Sequence, residues 1–224
     1  MFGLDDWIAS YSDGTSVLLV TLVAVLLGLR HATDPDHVAA VSTIVAGARE
    51  RAARRAAVLG AAWGLGHAAT LFLFGLPILL FDAYLPERVQ QGAETAVAVV
   101  IILLAISLLR RWRRGELLPH AHPHAHDARS PRQAFGIGLV HGMGGSAGVG
   151  ILILAAVEST ALSVVALGLL ALFTAVSMTS LTTAFGGALT RVPIARFAPG
   201  LGACSLAFGA WYAGAAWSLV PYPF

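Results

Sequence analysis

The sequence has no lysine, a single cysteine and few charged residues for its length. The one cysteine, Cys204, excludes an internal disulfide, a Cys-x-x-Cys redox pair and a metal site built from thiolates. Charged residues make up 12% of the 224 residues, against roughly 25% in a soluble domain. Because 57% of the residues are hydrophobic, the chain is neither disordered nor an ordinary soluble enzyme. We expect a polytopic membrane protein.

Six apolar stretches are each long enough to cross a bilayer, for which a helix needs about 20 apolar residues. They cover residues 15–48, 57–82, 93–110, 134–157, 161–188 and 198–220. The acidic segment before the first stretch lacks the basic region of a signal peptide. The sequence therefore predicts an all-α polytopic membrane protein with six transmembrane helices in one domain.

The arginines predict how these helices are oriented. Twelve of the 14 arginines lie between spans one and two, three and four, or five and six. Short cytoplasmic loops carry an excess of basic residues, so we expect these loops in the cytoplasm. Both termini should then lie on the outer side of the cell membrane, that is, the inner or plasma membrane. This use of the basic residues leaves no reason to expect a nucleic-acid partner.

Two short motifs suggest an internal repeat. Residues 28–31 and 138–141 both begin Gly-Leu and end in histidine, 110 positions apart. With the alternating orientation, this offset predicts a three-plus-three inverted repeat, as in many transporters. We expect a first repeat at 1–110, a cytoplasmic histidine-rich loop at 111–133 and a second repeat at 134–224. The alternative is a chance likeness between two helices rich in small residues.

Span one holds four ionisable residues within seven positions: His31, Asp34, Asp36 and His37. Each costs about 2.5 kcal/mol or more at the bilayer centre, so they must face a protein interior or a wet cavity. Pro35 has no N–H and predicts a break in the helix. Imidazole with carboxylate favours nickel, cobalt or zinc. The alternative is a buried ion-pair network in which Arg30 and the histidines neutralise the aspartates.

Other segments carry further candidate residues. His67 and His141 are predicted to approach the same site, although His67 has the alternative of bonding only to a neighbouring helix. Ser146 and Ser177 are candidates for lining a hydrated path, unless such hydroxyls only bond the preceding helical turn. The cytoplasmic loop adds an alternating tract that is either an auxiliary metal-binding site or a chance histidine-rich linker: His120, His122, His124 and His126.

Residues 30–38 resemble the signature of the nickel/cobalt transporter family within the broader NicO group, Arg-His-Ala-x-Asp-x-Asp-His and an aliphatic residue. Leu65-Gly66-His67 resembles the family's Leu-Gly-His motif in the next span. The resemblance implies that His31, Asp36 and His37 are essential for metal handling and that His67 assists them. Residues 144–148 lack the family's Asp-Thr-Ala-Thr-Glu stretch and are similar to shorter urease-accessory-type relatives.

We therefore expect a secondary permease for Ni²⁺ and/or Co²⁺ that works by alternating access around a midplane His/Asp site. We expect no enzymatic activity, and no ATP hydrolysis by the chain itself, because nothing resembles a Walker motif. We also expect no cofactor besides the transported ion. Its partners would be the divalent metal ion and the lipid bilayer.

Three alternatives remain from the sequence. The first is a non-transporting accessory protein that hands nickel to urease or hydrogenase maturation proteins. The second is an intramembrane serine protease, suggested by Gly-Ser-Ala-Gly at 145–148, although span six lacks the histidine it would need. The third is an exporter of sulfur compounds or amino acids, which would not need four ionisable groups in span one.

Overall fold

The computed structural model describes residues 17–45, 52–81, 86–117, 130–144, 151, 153–155, 157, 159–189 and 193–221. Its helices are α1 Val17–His31, α2 Pro35–Val45, α3 Ala52–Phe81, α4 Glu87–Arg113, α5 Pro131–His141, α6 Thr160–Leu189 and α7 Ile194–Ala216. These ranges contain no strand. The prediction of an all-α fold is confirmed.

Three helices, α3, α4 and α6, are long and apolar enough to cross a membrane, and a fourth span results if α1 and α2 are counted as one bent unit. The stretch predicted at 198–220 corresponds to α7, which is not among these candidate spans. Its 23 residues include glycines, a proline and aromatic side chains among the apolar ones. The described helices thus include three or four apolar candidate spans of a multi-pass membrane protein. The arrangement of six spans stays a prediction.

The first predicted span is broken into α1 and α2, which are bent by 44°. At the break the amide of Thr33 donates to the carbonyl of Arg30 at 2.8 Å, and that of Asp34 donates to the carbonyl of His31 at 3.1 Å. Pro35 is then the first residue of α2, where its missing N–H costs no helical bond. The break predicted at Pro35 is confirmed, and it places the ionisable residues on both sides of a turn.

Helix α5 ends in the same way, although the sequence predicted one continuous span over 134–157. The amide of Met143 donates to the carbonyl of Val140 at 3.2 Å, and that of Gly144 to the carbonyl of His141 at 3.1 Å. No proline stands there. Glycines follow His141 instead, and glycine is a poor helix former. The two helix ends lie 110 positions apart, like the two motifs.

Each break frees a carbonyl that a facing helix then satisfies. The Ser177 hydroxyl of α6 donates to the Leu29 carbonyl at 2.6 Å, and the Thr70 hydroxyl of α3 donates to the Leu139 carbonyl at 2.8 Å. An unsatisfied backbone group costs several kcal/mol in an apolar bundle. The hydroxyls therefore stabilise both breaks.

Glycines set how closely the helices approach. Helix α3 packs along α6, with α5 against α3, α1 against α6 and α4 against α7. A Cβ at Gly138 of α5 would meet the Trp63 carbonyl oxygen and lie 3.0 Å from the backbone nitrogen of His67. A Cβ at Gly28 of α1 would lie 2.7 Å from the Leu170 carbonyl oxygen of α6. Both helices thus contact a neighbouring backbone directly just before their breaks.

Gly138→Ala should destabilise the fold by pushing α5 away from α3. Overpacking of this kind costs about 1–3 kcal/mol, so the melting temperature of the purified protein in detergent should fall. Gly136→Ala is the matched control, because nothing lies within 4 Å of a Cβ there. Equal melting temperatures for the two variants would contradict the proposed backbone contact.

Candidate metal site

Six ionisable side chains meet where the α1–α2 break faces α3 and α5. Helix α1 contributes one, the turn one, α2 two, and α3 and α5 one each: His31, Asp34, Asp36, His37, His67 and His141. None is more than 7% exposed. The structure thus brings together all six side chains that the sequence singled out in the spans.

His31 and His67 form one side of the cluster. Their Nε2 atoms are 2.9 Å apart, and His31 Nδ1 lies 3.1 Å from Asp34 Oδ2. His31 Nδ1 therefore faces the Asp34 carboxylate, while His31 Nε2 faces His67. Asp34 is held from its other side by Arg30, 3.1 Å away, whose side chain is 68% exposed.

Asp36, His37 and His141 form the other side. His37 Nδ1 lies 2.9 Å from Asp36 Oδ1 in a hydrogen bond. His141 Nε2 lies 3.2 Å from Asp36 Oδ2, but the geometry is not that of a hydrogen bond, so both atoms are without a hydrogen-bond partner within the described ranges. Asp36 is therefore fixed by one histidine and leaves its second oxygen beside another.

Several polar atoms of the cluster are buried without a hydrogen-bond partner in the described part of the chain: Asp36 Oδ2, His37 Nε2, His67 Nδ1 and both ring nitrogens of His141. Each such atom costs about 1–3 kcal/mol. Carboxylate oxygens and imidazole nitrogens are also the atoms that a transition metal takes as ligands, and each neutral histidine offers one such nitrogen. The hydrogen-bonded pair of Asp36 and His37 has the arrangement that orients a histidine ligand toward a metal.

The potential ligands fall into two triads. One comprises His31, His37 and His67, and the other Asp36, His37 and His141. Within each triad, one ligand atom per residue lies within 4.8 Å of the other two. Asp34 belongs to neither triad and instead lies behind His31, so its predicted role as a ligand stays a prediction.

Two residues that the sequence analysis gave no role also shape the site. The Trp63 ring, 1% exposed, lies 5.6 Å from the His37 ring and 5.7 Å from the His141 ring. Trp63 and Thr70 stand four positions before and three after His67, which places them on its face of α3. This spacing from His67 is the feature of the sequence that could have identified Trp63 and Thr70.

Of the remaining predicted residues, the structure describes Ser177 alone. Ser177 satisfies the Leu29 carbonyl and is not a member of either triad. Ser146 and the loop histidines fall outside the described residues: His120, His122, His124 and His126.

Several curated proteins are similar to this chain in sequence. The urease accessory protein UreH of Bacillus sp. (strain TB-90) is 29% identical over 182 residues, which is 78% of this chain and 79% of that protein. The high-affinity nickel transport protein of Cupriavidus necator is 29% identical over 134 residues. A protein of Methanocaldococcus jannaschii named for a nickel/cobalt efflux system is 25% identical over 127 residues.

The chain is similar to proteins that are named for nickel and cobalt transport. These matches confirm the resemblance that the motif at 30–38 indicated. The chain spans 38% of the length of the nickel transport protein and 56% of that of the efflux protein. No family model and no solved structure matches the chain.

Ni²⁺ should raise the melting temperature of the purified protein through this cluster. A ligand that binds only the folded state at 100 times its Kd stabilises it by about 2.7 kcal/mol. His37→Ala should abolish the shift, because His37 belongs to both triads. A variant with the four loop histidines replaced by alanine should keep it. The cluster would be refuted as the binding site if the loop variant, and not His37→Ala, lost the shift.

Proposed function

We propose that the chain is a secondary permease for Ni²⁺ and/or Co²⁺. The observation that carries this proposal is the buried His/Asp cluster at a helix break, with lone-pair atoms left unpartnered. Ionisable groups inside an apolar bundle are costly and mark ion pathways. The names of two relatives, a nickel transport protein and a nickel/cobalt efflux system, support the same cargo.

Alternating access would come from two inverted halves, 1–110 and 134–224, joined by the cytoplasmic loop. The support is the correspondence of the breaks after His31 and His141 and of the hydroxyl-bonded carbonyls at their ends. In addition, α1 packs on α6 as α5 packs on α3. If each broken stretch counts as one span, the halves have three spans each, and the site between them lies near the midplane, as in other inverted-repeat transporters.

The arginines support the proposed orientation. Helix α4 carries Arg110, Arg111 and Arg113 in its last turn, and α3 carries Arg54 and Arg55 near its start. The positive-inside preference places both ends in the cytoplasm. The termini would then lie outside a cell (inner or plasma) membrane.

The cluster also suits coupling to a gradient. Imidazole and carboxylate ligands must be deprotonated to bind a metal, so protons and the metal ion would compete for the same atoms of the cluster. Proton exchange or the membrane potential would drive the ion, since nothing in the sequence resembles an ATP-binding motif.

Proteoliposomes containing the purified protein should take up ⁶³Ni²⁺ saturably, with competition by Co²⁺. His31→Ala/His37→Ala should reduce uptake to the liposome background, because it removes ligands from both triads. His122→Ala/His124→Ala removes the same number of histidines from the loop and should leave uptake intact. Equal uptake by the cluster variant and the wild type, under either gradient, would refute the permease.

The second candidate function is a non-transporting accessory protein for nickel-enzyme maturation. It is favoured by the similarity to a urease accessory protein along 79% of that protein's length. In this case the metal would pass to maturation proteins, and the loop histidines would matter most.

Deletion of residues 119–127 separates the two functions. A permease should retain ⁶³Ni²⁺ uptake in proteoliposomes, because the deletion leaves every residue of the cluster in place. A hand-off protein should instead lose activation of a co-expressed urease, measured as urease activity per enzyme at limiting nickel. Loss of urease activation, with wild-type protein inert in proteoliposomes, would establish the accessory function in place of transport.

A further inference from the structure

We propose that the cluster holds the metal ion at two successive positions that share His37, one formed with His31 and His67 and one with Asp36 and His141. This inference rests on the proposed function, in which Ni²⁺ or Co²⁺ is the cargo. It adds that the ion passes through the cluster in two steps rather than resting at a single centre.

The distances favour two positions over one. Bonds of about 2.1 Å to a first-row ion place two ligand atoms at most about 4.2 Å apart. Each triad lies within 4.8 Å, so small side-chain movements close either one. No larger set of these side chains meets the same limit in the described part of the chain. One ion therefore engages one triad at a time.

His37 is placed to serve both positions. Its Nδ1 atom is bonded to Asp36, while its Nε2 atom is buried without a partner in the described ranges. Its ring centroid lies 4.6 Å from that of His31, 5.0 Å from His67 and 4.6 Å from His141. An ion that moves from one triad to the other can therefore keep His37 as a ligand throughout the step.

The two positions differ in charge and exposure. The triad of His31, His37 and His67 offers three imidazoles and reaches the protein surface at His31, which is 7% exposed. The other triad adds the carboxylate of Asp36 and is closed from solvent, with its members 0–1% exposed. A buried cation needs a compensating charge. The histidine triad is thus the less enclosed position, and the carboxylate triad is the closed one.

The two triads also draw on different parts of the chain. His31, His37 and His67 all come from the proposed first half, whereas His141 comes from α5 in the second. A movement of the halves against each other changes the carboxylate triad and leaves the histidine triad intact. Such a movement would therefore form or release only the closed position.

X-ray absorption spectra of Co²⁺-loaded protein test the two positions. His141→Gln should leave an ion bound by three imidazoles, and His67→Gln an ion bound by two imidazoles and a carboxylate. Each variant should bind at least about tenfold more weakly, as loss of even an outer-shell partner does, and should lose ⁶³Ni²⁺ uptake. His122→Gln/His124→Gln in the loop should give the wild-type spectrum.

Identical coordination shells in the two cluster variants would overturn the inference, since a single centre loses one imidazole either way. Anomalous diffraction from wild-type crystals soaked in NiCl₂ gives a test without variants. Two partially occupied peaks flanking His37 are expected, and one peak bound by both triads would overturn it. If the two variants had different coordination shells but the wild-type protein showed no uptake, the permease would be refuted and the two positions would stand. If the wild-type protein showed normal uptake but the two variants had the same coordination shell, the two positions would be refuted and the permease would stand.

Discussion

The site depends on the break between α1 and α2. In a continuous helix, side chains at 31, 34, 36 and 37 would be distributed around the axis, because successive residues rotate by about 100°. The turn at 32–34 ends one helix at His31 and begins another at Pro35, so His31 and His37 bring their rings within 4.6 Å of each other. The Ser177 hydroxyl stabilises the break because it donates a hydrogen bond to the freed Leu29 carbonyl.

Close helix packing supplies the rest of the cluster. His67 and His141 lie on different helices, and their approach to Asp36 and His37 requires α3 and α5 to cross nearly backbone to backbone. Gly66 and Gly138 provide that crossing, since a Cβ on either would meet the other helix's carbonyl oxygen. Small residues at helix contacts are a common means of tight association in membranes. At this crossing they also determine which imidazoles lie close together.

The sequence predicted which ionisable residues come together, but it did not predict how they divide into two triads. Four of these residues in one span have no other explanation than an enclosed polar site, and Pro35 marked the break. The division into two triads depends on the helix crossing angle and on rotamers, which no local pattern encodes. The end of α5 at His141 was also missed, because no proline marks it and glycines in a span are equally consistent with a continuous, tightly packed helix. Trp63 and Thr70 were passed over because only their spacing from His67 distinguishes them.

The two proposed halves, compared position by position, match in the backbone around their breaks and differ in their side chains. The break, the turn hydrogen bonds and the hydroxyl-bonded carbonyl recur at an offset of 110, whereas Asp34, His37 and His67 correspond to Gly144, Ala147 and Ser177. Only the histidine at the end of the first helix is kept, as His141. A symmetric pair of sites would place two divalent ions and their ligands close together at high electrostatic cost. In the proposed permease, concentrating the ligands in the first half would leave the second half in contact with the ion through a single imidazole. A movement of the second half would then have to break only that one bond.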